Sequence, residues 1–237
     1  MKITIIRHAE PDYENNTITQ KGFKEAELLG QFLKDEKIDY IYSSPLNRAK
    51  YTADAIVKYN ETKTYKVLDF LSEFSPFMWD RSISCLSSDD RLYDKERWLE
   101  VDAMNNPEIL NRYKYVQKEF SALLEKHGYK KNGIYYDVLK ANHYNLVFTC
   151  HFGLESYLLS ELLNITVNAL LNHTCAAPSS ITTVYSEERE KGKAIFRMQS
   201  FGCFPHLIKN NEPASFMARF DEVYGDGDNE YINEFEI

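Results

Sequence analysis

Short apolar runs alternate with segments of helical period along the first third of the chain. Ile3-Thr4-Ile5-Ile6 is a continuous apolar run, which predicts a buried strand over Lys2–Ile6. From Thr19 to about Lys34, Phe23, Ala26, Leu29, Gly30 and Leu33 recur at helical spacing, with Thr19 as the expected N-cap. Tyr40-Ile41-Tyr42 predicts a second strand. Ser44-Pro45 then opens a second helix through Ala49, Ala53, Ile56 and Val57, with Pro45 placed in its first turn. Lys66-Val67-Leu68 predicts a third strand. A βαβαβ order of this kind predicts a parallel sheet with right-handed crossovers.

The rhythm breaks over about 74–142. This stretch is polar, carries Trp79 and Trp98, and has one helical pattern, Asn111–Lys126, before Gly128 and Gly133. Long structureless loops are uncommon in compact domains, so an insertion or lid beside the sheet is expected. Its aromatics, Trp79, Tyr93, Trp98 and Tyr113, are assigned to packing. The rhythm resumes with a strand at Tyr144–Cys150, a helix at Gly153–Leu163, and a closing pair of strands at Ser180–Tyr185 and Ala194–Ser200. The expected fold class is α/β: a three-layer α/β/α sandwich with a mostly parallel central sheet, plus a mainly helical insertion. One domain over 1–237 is expected, ending in a solvated acidic tail at about 225–237.

Composition narrows the function classes. The chain has 237 residues and is 43% hydrophobic, enough to bury a substantial core. A formal charge of −8 argues against a broad nucleic-acid surface. An anionic ligand would therefore need a local cluster of arginines. Cys85, Cys150, Cys175 and Cys203 show neither CxxC nor zinc spacing and are expected to be free thiols; no metal or cofactor is expected. No run approaches the roughly 18–20 apolar residues of a membrane span. The apolar run before Arg7 is too short for a signal peptide. A cytoplasmic protein without membrane partners is expected, monomeric or homodimeric.

Candidate chemistry starts at Arg7-His8, directly behind the first predicted strand. That position delivers both side chains to the C-terminal edge of the sheet, where open α/β sheets bind ligands. Arginine offers a planar fork for phosphate, and histidine a nucleophile or acid/base near neutral pH. The dipeptide alone is unremarkable in any chain. However, the strand at Tyr144–Cys150 also ends in a histidine, His151, and Arg48 lies just inside a helix entered from another strand end. In a parallel sheet these ends share one edge, so two arginines and two histidines are expected to meet in one phosphate pocket.

Four segments in order carry a family resemblance. They are Arg7-His8-Ala9-Glu10, Ile18-Thr19-Gln20-Lys21-Gly22-Phe23-Lys24-Glu25-Ala26, Ser43-Ser44-Pro45-Leu46-Asn47-Arg48-Ala49-Lys50-Tyr51-Thr52-Ala53, and Cys150-His151-Phe152-Gly153. The chain thereby resembles the histidine phosphatase superfamily, also called phosphoglycerate mutase-like. Ala9 and Phe152 stand where that family usually has glycine. The resemblance implies that His8 takes the phosphoryl group as phosphohistidine. It implies that Arg7, His8, Arg48 and His151 bind the phosphate, with His151 also catalytic. The phosphatase branch places a general acid in a Glu-x-x-Phe-Gly-x-Trp-Glu segment. Here that implies Glu73 as acid and then base, with Asp80 as its alternate, although Pro76-Phe77 replaces the Phe-Gly. His173 is assigned a structural role, and His127, His143 and His206 none.

The expected function is metal-independent hydrolysis of a small organic phosphate monoester. Phosphoglycerate-mutase-type transfer and a non-catalytic phospho-ligand binding module stay open as alternatives. A metallohydrolase built on His8 and His151 is disfavoured, because Arg7 and Arg48 would repel a cation.

Overall fold

A computed structural model describes residues 1–74, 89–102 and 104–215. Trp79, Asp80, Cys85 and the acidic tail lie outside the described residues. The elements are β1 (Lys2–Arg7), β2 (Pro11–Asp12), β3 (Thr17–Ile18), α1 (Gln20–Phe32), β4 (Tyr40–Ser43), α2 (Asn47–Tyr59) and β5 (Lys66–Val67). They continue with α3 (Pro107–Lys126), β6 (Tyr129–Asn132), β7 (Tyr135–Val138), β8 (Asn145–Cys150) and α4 (Phe152–Leu163). The described chain closes with α5 (Val167–His173), β9 (Ile181–Glu190), β10 (Lys193–Cys203) and α6 (Pro205–Lys209).

Eight strands form one mixed sheet in the order β5-β4-β8-β1-β9-β10-β7-β6. The strands β5, β4, β8 and β1 are mutually parallel, whereas β9, β10, β7 and β6 continue the sheet antiparallel. Strand side chains alternate between faces, and the two faces bury different helices. Ile3, Ile5, Leu146 and Phe148 face α3 and α4, joining Val116, Phe120, Tyr157 and Leu158. Ile6, Ile41 and Val147 face the other way, onto Leu29 of α1, Leu33 just after it and Ile56 of α2. These are the three layers of an α/β/α sandwich. Every residue from Phe152 to Leu162 is buried, as expected of a helix that is apolar all round.

Local sequence explains the helix starts. The Thr19 side chain accepts from the Gly22 N–H and caps α1. Asn106 caps α3 ahead of Pro107, so this helix begins a turn earlier than the apolar pattern alone predicts. Pro45 precedes α2 and does not lie in its first turn, which starts at Asn47 behind an extended Leu46. The insertion also holds the hairpin β6–β7, whose positive-φ Gly133 makes the turn and which extends the sheet at its β10 edge. Trp98 and Tyr113 are buried in the core as expected, whereas Tyr93 is 40% exposed. No helix among the described residues is long and apolar enough to cross a membrane.

The α1–α2 crossing is close because of Gly30. A Cβ there would stand 2.2 Å from the Ala55 carbonyl oxygen, a backbone atom that cannot rotate away. Gly30→Ala is expected to destabilise the protein by about 2 kcal/mol through overpacking. Urea unfolding checks this, and an unchanged midpoint would refute it.

Candidate active site

Parallel pairing of β1 with β8 brings Arg7 opposite Cys150, so the residues that follow, His8 and His151, emerge side by side. Their ring centroids lie 5.0 Å apart. The main chain of His8 is fixed on both flanks: its N–H donates to the Cys150 carbonyl at 2.8 Å, and its carbonyl accepts from the Ser179 N–H at 3.0 Å. Its Nδ1 lies 2.7 Å from the Ala9 carbonyl oxygen. A carbonyl only accepts, so Nδ1 carries the proton and Nε2 keeps its lone pair. Burial, then the charges of Arg7 and Arg48, holds the His8 imidazolium well below its ordinary pKa. The ring is neutral at physiological pH.

Arg7 is buried, and its Nη1 donates to the Ala176 carbonyl at 2.6 Å. Its guanidinium lies 6.0 Å from the Phe152 ring centroid. Arg48 is partly buried at the start of α2, under the ring of Tyr13 at 5.3 Å. Tyr13 is 61% exposed, which places this pair at the mouth of the site. The Nε atoms of both arginines are buried without partners. Burial lowers the pKa of each, and their mutual repulsion adds to the effect on Arg48. The site is thus a desolvated cluster of positive donors.

His151 is fully buried, with Nε2 at 2.8 Å from the Ser44 hydroxyl, while Nδ1 has no partner. Ser44 already accepts from the Leu46 N–H, so donation of its own proton to Nε2 satisfies both groups. That tautomer leaves Nδ1–H as a free donor beside His8. Burial, then His8 and the arginines, lowers the His151 pKa well below its ordinary value.

Glu73 arrives from the opposite side. Its Oε1 accepts from the N–H groups of Phe74 and Leu154 at 2.9 Å each, and its Oε2 from Gly153 at 3.3 Å. The carboxylate therefore sits on the N-terminus of α4. Burial raises its pKa, against the opposing pull of those N–H groups and of Arg48. A Cβ on residue 153 would stand 2.7 Å from Oε1, so Gly153 is what admits the carboxylate.

The structure thus gathers Arg7, His8, Arg48, Glu73 and His151, and it adds groups with no prior assignment. Thr52 accepts from the Ala9 N–H at 3.0 Å and donates to the Arg48 carbonyl at 2.9 Å, joining the segments that carry Arg7-His8 and Arg48. Glu155, one turn into α4, is buried, with the Thr182 hydroxyl and Arg7 as its polar neighbours. Its pKa is pushed up to about 7 by burial, although the Thr182 hydroxyl and Arg7 favour its charged form. Glu155 and Glu161 are the two acids in a largely apolar helix, and that is the signal that marks them in the sequence. His127 and His206 are buried against Tyr42 and Ser179, His173 contacts Tyr93, and His143 is exposed. Among the described residues, no group of three or more His, Cys, Asp or Glu side chains could hold a metal ion.

Two histidines side by side at adjacent parallel strand ends, flanked by two arginines, define the candidate site of this α/β fold. The chain belongs to the histidine phosphatase superfamily (branch 1), whose family model matches residues 3–197. It is 32% identical over 111 residues to phosphoserine phosphatase 1 of Hydrogenobacter thermophilus, covering 42% of this chain and 51% of that one. It is 36% identical over 69 residues to fructose-2,6-bisphosphatase TIGAR of Xenopus laevis, a quarter (25%) of each chain. The chain thus spans about half the length of the first of these relatives and less of the second. Its fold superposes on phosphoserine phosphatase of Entamoeba histolytica with a TM-score of 0.59 at 20% identity, covering 87% of this chain and 98% of that one. The corresponding values for phosphoglycerate mutase of Bacillus anthracis are 0.58, 20%, 90% and 97%.

A carboxyl with a raised folded-state pKa stabilises the fold fully below its unfolded value, and that contribution is lost as pH rises through the folded value. For Glu155 the window runs from 4.5 to about 7. Glu155→Gln should remove about 2 kcal/mol of the stability lost between about pH 5 and pH 8. Urea unfolding at the two pH values measures it; an unaltered pH dependence would contradict the assignment.

Proposed function

We propose that the protein is a metal-independent phosphatase acting on a small organic phosphate monoester through a phosphohistidine on His8. The observation that carries this reading is the His8 ring. Its Nδ1–H is spent on the Ala9 carbonyl, which leaves a neutral Nε2 lone pair in a pocket of positive donors. A pocket that only bound phosphate would need neither that nucleophile nor a carboxyl with a raised pKa on the far side.

In the first step, the Nε2 lone pair attacks phosphorus and the P–O ester bond breaks. The leaving oxygen takes the proton of Glu73, whose raised pKa suits an acid. Arg7, Arg48 and the free Nδ1–H of His151 hold the phosphoryl oxygens as their charge develops. In the second step, Glu73 takes a proton from water, the water oxygen attacks phosphorus, and the P–N bond electrons return to Nε2. The Ala9 carbonyl supports the imidazolium that exists between the steps. Similarity to phosphoserine phosphatase 1, to fructose-2,6-bisphosphatase TIGAR and, at 36% identity over 86 residues, to mannitol-1-phosphatase of Eimeria tenella favours hydrolysis of a small phosphate ester over transfer back to the same molecule. The two arginines supply the positive charge that a metal ion would otherwise provide.

Turnover of an aryl phosphate should survive a chelator, and quenched enzyme should carry an acid-labile phosphoryl group. His8→Ala should lower turnover by at least about 10³-fold. Undiminished turnover in that variant would overturn the nucleophile assignment, and loss of activity with chelator would overturn metal independence.

A further inference from the structure

We propose that Arg112, on the insertion helix α3, is a positioning residue that sets the Glu73 carboxyl for proton transfer; this rests on the reading of Glu73 as the general acid. Arg112 has no motif support and lies 39 positions downstream of Glu73 in the sequence. Yet its Nη2 donates to the Ser72 carbonyl at 2.6 Å and to the Phe70 carbonyl at 3.1 Å. Its guanidinium also lies 5.1 Å from the centroid of the Phe74 ring, which stacks on Tyr157 at 3.7 Å. Arg112 therefore holds the residue before Glu73 by a hydrogen bond and the residue after it by a cation–π contact.

This grip has a chemical reason. Phe70–Phe74 is a short turn with no strand partner of its own beyond β5, and Phe70–Leu71 lie in a single turn of 3-10 helix. The N–H groups of Gly153 and Leu154 hold the carboxyl itself, and Arg112 fixes the main chain that carries it. Arginine suits the task because one planar group can donate in its plane and stack on a ring with its face. Lysine, a compact point charge, can do only part of this. Arg112 also places a positive charge near both Glu73 and His151. The insertion thereby reaches the chemistry through the acid.

A residue that only supports the fold would slow all substrates alike. A residue that aims the acid matters only where the leaving group needs a proton. We would compare kcat/KM for 2,4-dinitrophenyl phosphate, whose leaving group departs unprotonated, with that for glycerol 2-phosphate, whose alkoxide cannot. Glu73→Gln should lose about 10²-fold on the alkyl ester and little on the dinitrophenyl ester. Arg112→Ala should reproduce that selectivity with a loss of about 10-fold or more on the alkyl ester, and Arg112→Lys should recover part of it. In the double variant, the Arg112 change should add almost nothing to the Glu73 change. Equal losses of Arg112→Ala on both esters, with Glu73→Gln selective, would overturn the role of Arg112 alone. A Glu73→Gln variant without selectivity would overturn the acid assignment, and this proposal with it.

Discussion

The candidate active site depends on the way β1 is wedged between β8 and β9. Main-chain hydrogen bonds continue past the end of β1, so His8 is still tied to Cys150 on one side and to Ser179 on the other. The proposed nucleophile, His8, is thus held by backbone, and its ring is aimed by one further bond to Ala9. Ser179 adopts a positive φ of 60° to make its bond, and the buried His206 supports its hydroxyl at 3.0 Å. A strained residue persists where its surroundings over-determine it. The closing strands and α6 therefore act on the site through the main chain.

Around that fixed ring, the electrostatics are one-sided. Burial disfavours the charged forms of Arg7, His8, Arg48 and His151, and repulsion from neighbouring cationic groups adds to it at the last three. The two carboxyls facing them, Glu73 and Glu155, are raised in turn by burial. The free protein holds a positive cluster short of negative charge, which a phosphate dianion would complete. Hydrogen-bond donors fixed in a dry site need no reorganisation when the charge arrives.

The sequence segments that stood out also hold one another. Glu10 follows the Arg7-His8-Ala9 run, and three residues of the second segment grip it. The Thr19 hydroxyl donates to its carboxylate, Glu25 accepts from its N–H, and Gly22 leaves room for its carbonyl, which a Cβ would approach to 2.4 Å. Thr52 of the third segment holds Ala9 and the Arg48 carbonyl. These residues were legible as motif positions, but their purpose was not, because each acts on a backbone atom far away in the chain. Ser44 is similar: it sits in a conspicuous segment, yet only its place beside His151 shows that it sets a tautomer.

The sequence by itself determined the elements whose cause is local. Apolar runs placed β1, β4 and β8, helical spacing and Thr19 placed α1, and the position of Arg7, His8, Arg48 and His151 at element ends placed them on one edge. Tertiary structure decided whatever depends on partners distant in the chain. It put the hairpin β6–β7 antiparallel on the outer sheet, since local periodicity carries no information on which edge a strand will meet. It showed that Arg112, a charge on the apolar stripe between Ile109 and Val116, faces the Glu73 turn. It also buried Glu155 beneath Arg7, where an acid in an apolar helix gains a neighbour that no spacing rule connects to it.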